Sequence, residues 1–84
     1  MNEIINEKIS VVMIYNQKNV MPCRIKWQGR IYHIAKIGFH HQIKEGSRLF
    51  HIFSVTDGNL DFRLRFDTES LHWTLEEISD GITN

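Results

Sequence analysis

Strict alternation of apolar and charged residues in the middle of the chain constrains the fold more than any other feature. From Leu60 to Asp67, four apolar residues alternate with four charged ones. Neighbouring side chains of a β-strand point to opposite faces, so this segment predicts a strand with one dry face and one solvated face. A helix, whose faces repeat about every 3.6 residues, does not fit the pattern.

The preceding segment predicts a hairpin partner for this strand. Residues 49–56 also alternate, and Asp57-Gly58 separates the two segments. Asp and Gly tolerate the positive φ angles of tight hairpin turns, so a two-residue loop is expected. This register places Val55 opposite Leu60, Phe53 opposite Phe62 and His51 opposite Leu64 on one dry face.

A second hairpin is predicted around Gln28-Gly29, where two alternating segments meet. Its register places Trp27 opposite Arg30, Ile25 opposite Tyr32, and Cys23 opposite Ile34. Ile37 and Phe39 have the opposite parity, and a bulge near Ala35 or Lys36 would return them to the dry face.

The two ends of the chain give less uniform patterns. Residues 8–15 are β-rich with little polarity, so this segment is expected to be central or buried on both sides. The segment from Leu71 alternates like a strand, but Leu71, Leu75, Ile78 and Ile82 also have helical spacing. We favour the strand, because a loop over residues 67–70 would place Leu71, Trp73 and Leu75 on the same dry face.

These patterns predict one all-β domain, a small antiparallel meander of five or six strands folded as an SH3-like barrel or a strongly bent sheet. The domain spans residues 1–84, with 1–7 and 80–84 expected to be frayed. Trp27 and Trp73 are expected to be mostly buried. The predicted core-facing residues are Cys23, Ile25, Tyr32, Ile34, Phe53, Val55, Leu60, Phe62, Leu64, Phe66, Leu71, Trp73 and Leu75.

Length and composition exclude several classes of protein. With 84 residues, the chain has room for one small core and not for a two-domain enzyme. The longest apolar run, residues 11–15, is far shorter than the roughly 20 residues of a membrane span. Cys23 is the single cysteine, so no internal disulfide forms. A cytoplasmic location without membrane contact is expected.

The balanced charge of the chain conceals an uneven distribution. Between Lys18 and Arg48 there are seven basic residues and one acid, whereas from Asp57 onward there are seven acids and two bases. Such asymmetry is compatible with a basic face for an anionic partner, or with adjacent strands that neutralise each other.

Several of these segments together resemble small bacterial all-β domains of unknown function. The shared features are Pro22, a Trp-x-Gly-Arg-x-Tyr hairpin beginning at Trp27, and a terminal Trp-x-Leu strand at Trp73. The resemblance covers about residues 22–80 and implies the same β fold. It carries over no functional residue, because those domains have no assigned activity.

Candidate chemistry is sparse. The five histidines lack the usual metal-ligand spacings, so no metal site is predicted, and no cofactor is expected. His51 falls among core-facing residues and is expected to be a neutral, hydrogen-bonded histidine. No nucleophile motif, carboxylate pair or phosphate loop is present, so we predict no catalytic residues and no enzyme activity.

Two surfaces are instead predicted to bind partners. Phe50, Ile52, Arg63 and Arg65 form the first, with Ile52 opposite Arg63 and Phe50 opposite Arg65, unless Phe50 and Ile52 are buried against the first strand. The predicted function is an interaction module that binds a protein partner or self-associates. The alternative is nucleic-acid binding, for which Arg24, Lys26 and His33 form the second surface.

Overall fold

The computed structural model describes residues 2–17 and 19–80, which form seven β-strands and no helix. The strands are β1 (Asn2–Asn16), β2 (Asn19–Trp27), β3 (Arg30–His33), β4 (Lys36–Glu45), β5 (Arg48–Thr56), β6 (Asp61–Asp67) and β7 (Trp73–Ser79). All pairings are antiparallel, in one sheet of order β3-β2-β1-β7-β6-β5-β4. The predicted all-β antiparallel fold is confirmed, and the final alternating segment is a strand.

Strand β1 joins two runs of hairpins into this single sheet. Residues 2–9 pair with β7 and residues 10–16 pair with β2. The register of β1 shifts once in each half, and such irregularities bend a strand. Residues 34 and 35 connect the two edge strands, β3 and β4. There the Ile34 N–H donates to Cys23 O at 2.9 Å and the Ala35 N–H donates to Thr56 O at 2.8 Å. The sheet therefore curves around one core without closing into a barrel.

The structure adds a strand to the five or six expected. Residues 36–45 form β4, and the bulge expected near Ala35 or Lys36 lies instead at Gly38, between Ile37 and Phe39. Of residues 2–7, expected to be frayed, residues 2–4 and Glu7 pair with β7, which satisfies backbone groups that β7 would otherwise expose. Met1, Lys18 and residues 81–84 lie outside the described residues.

Two hairpin registers differ from the sequence expectation by two residues. The Asp57 carboxylate accepts hydrogen bonds from the N–H groups of Asn59 and Leu60, which makes the first loop four residues long. Asp67 likewise accepts from Glu69 and Ser70, and chiefly the Glu69 bond lowers the pKa of Asp67. The resulting pairs are Val55 with Phe62, Phe53 with Leu64, His51 with Phe66, Phe66 with Trp73, and Leu64 with Leu75.

A two-residue slip leaves every side chain on its predicted face, so most of the predicted core is correct. The buried cluster consists of Val20, Ile25, Phe53, Val55, Phe62, Leu64, Phe66, Trp73 and Leu75. The β2–β3 hairpin has the predicted register. Leu71 is the exception, because it lies in the longer β6–β7 loop and is 62% exposed.

The two tryptophans differ in burial. Trp73 is buried, with its ring centroid 4.6 Å from that of Phe66 and 5.6 Å from that of Phe53. Trp27 was expected to be mostly buried, but it lies at the end of β2 and is half-buried. Its indole N–H donates to the Glu7 carboxylate at 3.1 Å, which satisfies the polar end of the ring.

Replacing the buried tryptophan is expected to remove much of the stability of the domain. Trp73→Ala should lower the free energy of unfolding by about 3–5 kcal/mol, because it leaves a cavity between two aromatic rings. Trp27→Ala, the matched control, should cost clearly less. Urea unfolding followed by circular dichroism measures both, and equal losses would contradict the assigned burial.

Leu71 provides a test of backbone strain. Its φ is +63° although its side chain is exposed, a conformation that costs a branched residue about 1–2 kcal/mol. Leu71→Asn should therefore raise the free energy of unfolding by up to about 1 kcal/mol, because Asn tolerates this region. Leu71→Ala should gain less, because the alanine side chain has no polar group that can hydrogen-bond the local backbone at this φ. A loss of stability in Leu71→Asn would show that the leucine side chain contributes packing.

Candidate interaction surfaces

The first predicted surface lies on the side of the sheet away from the main core, but its apolar members are buried. Phe50 is 8% exposed and Ile52 is 2% exposed. Ile43 and His41 of β4 pair with them on one side, and Asp67 and Arg65 of β6 on the other. Phe50 and Ile52 are therefore buried, which was the alternative to an exposed surface. Their neighbours in the sheet are β4 and β6 and not the first strand.

The arginines of this surface are engaged within the chain. The Arg65 guanidinium carbon lies 4.0 Å from the centroid of the Phe50 ring, and the same side chain bonds Glu45 at 3.0 Å and Glu76 at 3.5 Å. Arg63 contacts Glu76 at 3.1 Å. Ile52 was expected opposite Arg63, and Phe50 opposite Arg65. In the shifted register, Ile52 pairs with Arg65 and Phe50 pairs with Asp67. This face therefore covers a small second core, and neither Phe50 nor Ile52 is free for a partner, although Phe39 at its β4 edge is 56% exposed.

The second predicted surface is exposed. Arg24 pairs with His33 as expected, and Lys26 pairs with Ile31. Side chains directly opposite each other in an antiparallel sheet share a face, so these ladders extend across β1, β2 and β3. We call this surface the basic face. Its residues are Ser10, Val12, Ile14, Met21, Arg24, Lys26, Ile31 and His33.

Four aliphatic side chains are exposed on the basic face. Ile31 is 57% exposed, Val12 49%, Ile14 48% and Met21 39%. A shallow cleft of about 240 Å³ runs between β1 and β3, lined in part by Val12 and Ile31. Residues 8–15 were expected to be central or buried on both sides. The strand is central in the sheet, but one of its faces is uncovered, because none of the described strands packs over that side.

In the described part of the chain, the cations of the basic face have no anionic partner. Within residues 2–17 and 19–80, neither Arg24 nor Lys26 forms an ion pair, whereas Arg48, Arg63 and Arg65 all do. No residue of the basic face is acidic. Its positive charge is therefore uncompensated, and apolar side chains lie beside it.

The structure also brings together two histidines that are separated in sequence. His40 Nε2 lies 2.7 Å from His51 Nδ1, and the His40 ring stacks on Phe53 with a centroid distance of 4.2 Å. Desolvation is the main cause that lowers the pKa of both His40 and His51, and the charge of a second histidine adds to it: His41 acts on His40, and His40 acts on His51. His51 was expected to be hydrogen-bonded, and His40 is its partner. The His51 ring is half-buried and not deep in the core.

Other chemistry-bearing groups lie apart. In the described part of the chain, no three His, Cys, Asp or Glu side chains gather in a metal-binding arrangement. The Cys23 thiol is half-buried and makes only a weak contact with Met21 O at 3.8 Å. None of the described residues belongs to a helix of membrane-spanning length and apolarity.

Comparison with known proteins adds no assignment. No protein family, curated protein or solved structure matches the chain. The resemblance to small bacterial all-β domains therefore stays a prediction, and function has to be argued from the surfaces themselves.

The histidine pair predicts a pH dependence of stability. Because the folded chain holds the pKa of His40 and His51 below the ordinary value of 6.5, it binds fewer protons than the unfolded chain. Stability should be fully present above about pH 6.5 and decline as the pH falls through the lowered values. Urea midpoints measured from pH 7.5 to pH 5 should show this decline, and it should be smaller in His40→Gln. An equal decline in the variant would contradict this assignment.

Proposed function

We propose that this chain is a protein-interaction module and that the basic face is its binding surface. The observation that carries this proposal is the exposure of Val12, Ile14 and Ile31 beside Arg24 and Lys26, which have no anionic partner in the described structure. Small proteins seldom expose contiguous apolar surface unless something binds there. The proposed partner presents aliphatic side chains flanked by carboxylates.

A protein partner suits this chemistry better than a nucleic acid. Single strands bind small β-domains by stacking bases on exposed aromatic rings. Apart from the imidazole of His33, the basic face has no aromatic ring, and its apolar contacts come from Val, Ile and Met. Aliphatic groups pack well against the side chains of another protein, and charge complementarity then sets orientation and the rate of encounter.

Nucleic-acid binding remains the second candidate, because Arg24, Lys26 and His33 lie on one exposed face without an acid among them. Both candidates fit the cytoplasmic setting that we propose, which the lone, unbridged Cys23 supports. They differ in their response to salt. Phosphate contacts weaken steeply as salt rises, whereas aliphatic contacts do not.

Site-specific photo-crosslinking in the cells that express the chain tests the proposal. A photoreactive residue at Ile31 should capture a protein, whereas one at Phe39, which is equally exposed on β4, should not. The double variant Arg24→Glu with Lys26→Glu should reduce the Ile31 product at least about tenfold, because attraction to acidic groups becomes repulsion. The matched control, Lys36→Glu with Lys44→Glu, reverses two charges away from the basic face and should leave the product unchanged.

The other outcomes of the crosslinking experiment would overturn or change the proposal. The absence of an Ile31 product, or the same product from Phe39, would overturn the proposal. A crosslinked second copy of the chain would make self-association the function of this face. Crosslinked RNA or DNA, together with salt-sensitive binding of single strands by the purified protein, would replace the proposal with the nucleic-acid candidate.

A further inference from the structure

We propose that His40 and His51 form a binding site for a divalent transition-metal ion of the class that imidazole favours, such as Zn²⁺. Neutral imidazole is the commonest protein ligand for metal ions, and it suits zinc, copper and nickel. The site lies on the core-facing side of β4 and β5, on different strands from the basic face, and is independent of the proposed function.

The strand pairing positions the two rings. His40 on β4 pairs with Phe53, and His51 lies two residues before Phe53 on the same face of β5. The His40 ring is within 5° of parallel to the Phe53 ring, and the His51 ring is within 16° of it. Stacking on the Phe53 ring at 4.2 Å therefore orients the His40 imidazole before any ion binds, which reduces the ordering cost of binding.

The facing nitrogens are close to the spacing that an ion requires. His40 Nε2 and His51 Nδ1 are 2.7 Å apart, the length of a hydrogen bond. Zinc–nitrogen bonds of about 2.0–2.1 Å place two nitrogens of a tetrahedral ion roughly 3.3 Å apart. An opening of about 0.6 Å is needed, and His40 can supply it by rotation of its side chain, because it is exposed and lies on the edge strand.

The proton balance of the site is simple. In the neutral pair, one facing nitrogen carries a proton and donates it to the other. When an ion binds, both facing nitrogens offer lone pairs, and the ring protons reside on His40 Nδ1 and His51 Nε2. No net proton is released at neutral pH, because both rings stay neutral. Partial desolvation lowers the pKa of both rings, which favours this neutral form near pH 7.

Two protein ligands make a modest site. No third His, Cys, Asp or Glu in the described residues joins them, so water would complete the coordination. The ion would tie the edge strand β4 to β5 and stabilise the folded chain by mass action. This bridge would reinforce the pairing with β5, the one strand that holds β4 in the sheet.

A zinc titration of the whole chain tests the site. It is carried out with Cys23→Ala as the background, so that the thiol does not contribute, and uses zinc chloride alone as the probe. We expect the melting temperature to rise with zinc concentration. The imidazole NMR signals of His40 and His51 should shift, while those of His33 and His72 stay in place. Either His40→Gln or His51→Gln should weaken binding by at least about tenfold, because each removes one of two ligands.

The controls separate a chelate from scattered histidine binding. His33→Gln and His72→Gln remove isolated exposed histidines and should leave the affinity unchanged. The double variant His40→Gln with His51→Gln should lose little more than either single variant, because each single change already destroys the chelate. Unchanged affinity in His40→Gln would overturn the proposal. The NMR shifts of the Cys23→Ala parent decide the question even if a histidine variant fails to fold, and shifts confined to other histidines would also overturn the proposal.

Discussion

The pairing of β1 with two different strands holds this domain together. The strand is 15 residues long, and its halves bind β7 and β2, so the backbone hydrogen bonds of one segment join two runs of hairpins. Without it, β2–β3 would be an isolated two-stranded hairpin, which is marginally stable at best, and the apolar face of β4–β7 would be open to water. Because β1 bends at two register shifts, both runs cover the same core.

This arrangement gives the two outer faces different properties. On β4–β7, acids and arginines on neighbouring strands neutralise each other, and Arg65 covers Phe50, so the apolar residues of β5 are not free for a partner. On β1–β3, the cross-strand neighbours of Arg24 and Lys26 are neutral or basic, and the aliphatic residues between them stay exposed. The uneven charge of the sequence is thus neutralised in one part of the sheet and left uncompensated in the other.

The histidine pair shows that strand pairing can bring together residues whose spacing in the sequence predicts no site. His40 and His51 are 11 residues apart and fit no ligand motif. The bulge at Gly38 determines which residues of β4 face inward, and the β4–β5 pairing then places His40 beside Phe53 and within reach of His51. Neither the bulge position nor the existence of β4 follows from local alternation, because residues 36–45 mix polar, aromatic and aliphatic side chains without a clear period.

Local pattern alone determined the strand character, the faces and most of the core, including Phe53, Phe62 and Leu75, because side-chain direction in a strand depends only on odd or even position. It did not determine the loop lengths, since the carboxylates of Asp57 and Asp67 cap longer turns and shift each register by two residues. Only the tertiary structure decided that the patch containing Phe50 is buried and that β1 has an uncovered face. Burial depends on which strands become neighbours and on what packs over each side of the sheet, and these relations join residues far apart in the chain.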